Sequence, residues 1–127
     1  MQIDRRAMLK GGVAASLVAS SWAIPALARP DARGIAVFDA RLEPSRLFAA
    51  GLAARGMATL DPRSRDLGPA WHDELPQVLR SGGTIEGLTM WSDRFVCESF
   101  AAQCGHKLRV VSTLGGRDHT LYHWIIV

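Results

Sequence analysis

From residue 34 onward, short apolar runs and helical stripes alternate along the chain. "GIAVFDAR" holds an apolar run from Ile35 to Phe38 that ends in Asp39, the pattern of a buried strand. In "EPSRLFAAGLAARG", Pro44 suits a first helical position, Leu47, Phe48 and Leu52 form an apolar stripe, and Gly56 sits where a helix stops. "MATLDPR" then predicts a second strand ending at Asp61-Pro62. A strand, a helix and a strand so closely spaced form a compact βαβ unit, which implies a parallel pair with a right-handed crossover.

Farther along, Trp71, Leu75, Val78 and Leu79 have helical spacing that Pro76 interrupts, which predicts a loop and then a short helix starting or kinking near Pro76. "IEGLTMW" reads as a third strand. Ser92 or Asp93 is the expected cap of the next helix, along one side of which lie Phe95, Val96, Ser99, Phe100 and Gln103; Gly105 ends it. "KLRVVST" and "TLYHWIIV" are the last two strands. The Gly115-Gly116 connection is too short for a parallel crossover, so they pair as an antiparallel hairpin. Both faces of the final strand are apolar, which calls for cover on both sides. The sum is a small α/β fold: a three-layer sandwich with a parallel βαβ core and a C-terminal antiparallel hairpin.

The first 28 residues read differently. Arg5, Arg6 and Lys10 form a basic start, a weakly apolar stretch runs from Gly11 to about Ile24, and Pro25 introduces Ala26-Leu27-Ala28, an A-x-A cleavage site at Ala26 and Ala28. The stretch is too short and too rich in Ser and Gly for a membrane span, so no stable span is expected after cleavage. Arg5-Arg6-Ala7-Met8-Leu9-Lys10 resembles the twin-arginine (Tat) export signal, with Arg5, Arg6, Leu9 and Lys10 at its characteristic places. The resemblance covers residues 1–28 only. It implies a bacterial protein sent to the periplasm or secreted, with the Tat translocase as a partner during export. The route carries folded passengers, so it also implies a possible cofactor or co-exported protein subunit. No family is assigned to the rest of the chain, expected to be one domain over residues 29–127.

Charge changes the picture once the signal is set aside. The whole chain has 15 Lys and Arg against 12 Asp and Glu. The signal holds three of the former and one of the latter, leaving twelve against eleven, so the basic character belongs largely to the signal. A near-neutral domain gives no electrostatic case for nucleic acid. Arg63 and Arg65 read as a solvated turn. Cys97 and Cys104, seven apart in a predicted helix, lie about 10 Å apart along its axis, too far for a disulfide, and are expected to be buried free thiols.

Candidate chemistry concentrates where parallel strands end, the place ligands collect in open α/β sheets. Those ends read Asp39 in "VFDAR", Asp61 in "TLDPR", and Trp91-Ser92-Asp93, and the first two share the pattern Asp-x-Arg. Converging carboxylates can hold a divalent cation or work as an acid and base pair; Asp is also an ordinary strand-ending turn former. Ser92 follows a strand and opens a helix, but "TMWSD" lacks the glycines of a nucleophile elbow. His119 and His123 lie about 13 Å apart on a regular strand, too far to share a metal. Neither zinc spacing nor a dinucleotide or P-loop fingerprint is present, so no metal is assigned and no cofactor is named. The candidate ligand site is therefore Asp39, Asp61, Trp91, Ser92 and Asp93, with Arg41 as an anion partner. The first expectation is an exported accessory or ligand-binding protein of the bacterial cell envelope. The alternative is a small divalent-metal-dependent hydrolase or phosphoryl-transfer enzyme using the strand-end aspartates. A third is an interaction protein whose apolar last strand pairs with another chain.

Overall fold

The computed structural model describes residues 33–127, so the export signal and its cleavage site lie outside the described residues. Five strands form one mixed sheet in the order β2-β1-β3-β5-β4. β1 (Gly34–Phe38) lies between β2 (Ala58–Leu60) and β3 (Thr84–Thr89) and is parallel to both. β5 (Thr120–Ile126) is antiparallel to β3 on one side and to β4 (Leu108–Gly115) on the other. The expected α/β sandwich with a parallel core and a terminal hairpin is the observed fold.

Strand alternation sorts the core into two layers. On one face Ala36, Leu88 and Leu121 pack with Phe48, Leu52 and Met57 around α1 (Glu43–Ala53). On the other face Ile35, Val37, Ile85, Trp124 and Ile126 meet α2 (Leu67–Asp73), α3 (Leu75–Arg80) and α4 (Trp91–Gln103). Gly56 and Gly105 end α1 and α4 with positive φ angles of 94° and 81°, a conformation in which a side chain is strained. At Gly56 the N–H groups of Gly56 and Met57 bond the carbonyls of Ala53 and Leu52, closing a Schellman stop. The Pro76 region holds two short helices where a loop and one helix were expected; Pro76 falls in the first turn of the second.

Four expectations need correction. α4 begins at Trp91 with Met90 as its cap, so neither Ser92 nor Asp93 caps it. Its sheet-facing residues are Asp93, Cys97 and Ala101, while Phe95 and Val96 face outward and Phe100 is half-buried. Cys104 is exposed, since it stands at the C-cap of α4, beyond the helix's last buried residue, Ala101; Cys97 is buried, and both thiols are free. β5 is an interior strand, bonded on both edges, so it offers no edge to another chain; the outer strand on that side is β4.

Candidate functional site

The chain leaves β1 toward α1 on one face and leaves β3 toward α4 on the other, so the crevice between the carboxyl ends of β1 and β3 is the switch point where α/β sheets collect ligands. Asp39 stands at its floor, fully buried. Its own N–H donates to Ser45 Oγ at 2.8 Å, and that hydroxyl donates to the Leu88 carbonyl at 2.5 Å. Ser45, buried in the first turn of α1, therefore ties the end of β1 to the end of β3.

The two Asp-x-Arg segments fold alike. Asp39 Oδ1 accepts the Arg41 N–H at 3.0 Å, and Asp61 Oδ1 accepts the Arg63 N–H at 2.9 Å. In each, a short carboxylate side chain closes the turn that follows its strand. The arginines then diverge. Arg41 folds back on its own aspartate as a fork, with Nε to Oδ1 at 2.9 Å and Nη2 to Oδ2 at 2.7 Å. Arg63 reaches across the crevice: Nε lies 3.8 Å from Asp61, Nη1 lies 3.9 Å from Asp39 Oδ2, and Nη2 donates to Asp93 in the first turn of α4. Asp39, Asp61 and Asp93, from three consecutive chain segments, thus converge on one guanidinium.

The electrostatics follow from this geometry. The hydrogen bonds from Arg41 hold the Asp39 carboxyl below the usual carboxylate range, against the opposing pull of burial. The same pair keeps the Arg41 guanidinium charged. Arg41 and Arg63 remain within reach of solvent, at 57% and 30% side-chain exposure. The crevice therefore presents two oriented cations on an acidic foundation. Its carboxylates are already paired, and no group of three or more His, Cys, Asp or Glu among the described residues is placed to hold a metal ion.

Of the residues expected here, Asp39, Arg41, Asp61 and Asp93 come together, and Trp91 and Ser92 do not. Ser92 is exposed. Trp91 points away and stacks on Phe95, ring centroids 5.3 Å apart. It lies about 200° around the helix from Asp93, at about 100° per residue.

Arg63 is the residue that sequence reasoning missed, since a turn arginine reads as solvated. The signal was present in the second Asp-x-Arg, which assigns Arg63 the same relation to Asp61 as Arg41 has to Asp39. His123 was set apart from the metal question, but its buried partnership had no signature in the sequence. His123 Nε2 lies 2.6 Å from Glu86 Oε2 on the α1 face, both side chains nearly fully buried, with Phe48 edge-on to the imidazole at 5.4 Å. Their pairing on adjacent β3 and β5, enclosed under α1, makes them a structural link. No known protein family, curated protein or solved structure matches this chain.

Proposed function

We propose that this chain is an exported accessory or ligand-binding protein of the bacterial cell envelope, and that the carboxyl-edge crevice is a recognition surface without catalysis. One observation carries the reading of the site: Asp39, Asp61 and Asp93 are engaged with guanidinium groups, which suits holding Arg41 and Arg63 in fixed directions. A general base or a cation ligand needs lone pairs open to its target. With Nε and Nη2 on Asp39, Arg41 has Nη1 for an anionic group of a ligand. The location rests on the Arg5-Arg6 signal, with the Tat translocase as export partner and a co-exported subunit as a candidate passenger.

Two experiments test the two halves. Fractionation of cells making the full chain should find it in the periplasm or medium, and Arg5→Lys/Arg6→Lys should retain it inside; unchanged export of that variant would exclude the Tat route. Melting with and without Mg²⁺ separates binding protein from metal enzyme, since a ligand that binds only the folded state raises the melting temperature. The expected result is no shift. A Mg²⁺ shift that Asp39→Asn abolishes would favour the divalent-metal hydrolase or phosphoryl-transfer reading instead.

A further inference from the structure

We propose that the cleft between α2–α3 and the C-terminal end of α4 is a second site, which binds a small planar organic anion. The cleft measures about 550 Å³, within the range of about 300–1,000 Å³ typical of small-molecule sites. Its apolar part is built from Trp71, Pro76 and Phe100. Trp71 and Phe100 stack with ring planes 12° apart and centroids at 6.1 Å. Trp71 is 2% exposed and anchored in the core, so the aromatic surface open to the cleft is that of half-buried Phe100, held in place by the Trp71 ring stacked against it.

The polar part of the lining is basic. Arg80, His72 and His106 contribute, and no carboxylate lines the cleft among the described residues. Arg80 Nη2 donates to the Gln77 carboxamide at 2.8 Å, a neutral partner that orients the guanidinium and leaves its charge uncompensated by any ion pair among the described residues. The acid bonded to a lining residue is Asp73, 2.7 Å from His72 Nδ1 and 71% exposed. The fixed Phe100 ring beside an uncompensated guanidinium and two imidazoles selects an aromatic or similarly flat body carrying a carboxylate or another acidic group. The exposed Cys104 thiol, also in the lining, reports occupancy. This site is separate from the carboxyl-edge crevice, with no lining residue in common.

The test is a nuclear magnetic resonance titration of the full chain with naphthalene-2-carboxylate, beside the neutral isostere 2-naphthalenemethanol. Saturable shifts are expected at the Gly68, Gln103 and His106 amides, with affinity for the carboxylate about tenfold above that for the alcohol. Arg80→Gln, a change at an exposed side chain, should erase the preference, and Gln103→Glu should weaken the carboxylate alone. Arg46→Gln, a charge removed from an exposed side chain outside the cleft, should leave both affinities unchanged, which separates a local guanidinium effect from one of net charge. The bound carboxylate should also slow alkylation of Cys104. Absence of saturable shifts at those residues overturns the proposal, as does equal affinity for the two compounds or a preference that survives Arg80→Gln.

Discussion

Asp39→Asn isolates the charge at the floor of the crevice while keeping the shape of the side chain. The asparagine carbonyl can replace Oδ1 and still accept the Arg41 N–H and Nε, so the turn survives. The amide nitrogen, standing where Oδ2 was, faces the Arg41 Nη2 donor that now sits at 2.7 Å, two donors opposed. The loss is one charge-assisted hydrogen bond, about 1.5–3 kcal/mol. It stays below the roughly 3–5 kcal/mol of a stranded buried charge, because Arg41 can turn into water and Arg63 keeps Asp61 and Asp93. About 2 kcal/mol is the expectation, or roughly 10 °C in melting temperature for a domain of this size. The pH dependence has a definite sign. The folded pKa of Asp39 is depressed, so its contribution is complete above the unfolded carboxyl value, about 3.9, and fades as the pH falls through the folded value. Urea denaturation of both forms at neutral and strongly acidic pH measures this. The gap should be flat from neutral pH down to about 4 and close below it. A neutral-pH gap under about 0.5 kcal/mol, or one that widens on acidification, would refute the clamp.

Three further outcomes follow from the same geometry. Gly87→Ala should destabilise by about 1–3 kcal/mol in urea denaturation, since a Cβ there would lie 2.2 Å from the Trp124 ring, itself pinned by Nε1–H donation to Thr89 at 3.0 Å. Glu86→Ala should cost about 1–3 kcal/mol by leaving the buried His123 Nε2 without its hydrogen-bond partner, and equal stability of variant and wild type would show the link to be idle. Alkylation at mildly alkaline pH should label Cys104 and spare Cys97, whose thiol burial pushes up to about 12; equal labelling in mass spectra would contradict the packing.

The order of elements was legible because strands and helices here carry clean apolar periods and glycine stops. Topology followed from connection length: helical crossovers enforce the parallel core, and the short Gly115–Thr120 link enforces the hairpin. The phase of α4 was not legible. A buried Asp93 reads as solvent-facing until its partner Arg63 is known, and Ala101 and Cys97 are weaker apolar signals than the outward Phe95 and Val96. Long-range pairs were hidden for the same reason. Arg63 and Asp93 are 30 residues apart, and Glu86 and His123 are 37 apart. Strand order decides whether such pairs meet, and local pattern does not contain it. What the sequence did carry was the repeated Asp-x-Arg, whose two copies fold as the same turn.

If the chain is a binding protein of the cell envelope, as proposed, native mass spectrometry of the protein recovered from periplasm without harsh purification should show its cargo. The expected species is heavier than the polypeptide and carries a small molecule or a second chain that dissociates on activation. A bare monomer, recovered under every gentle condition tried, would contradict the proposal.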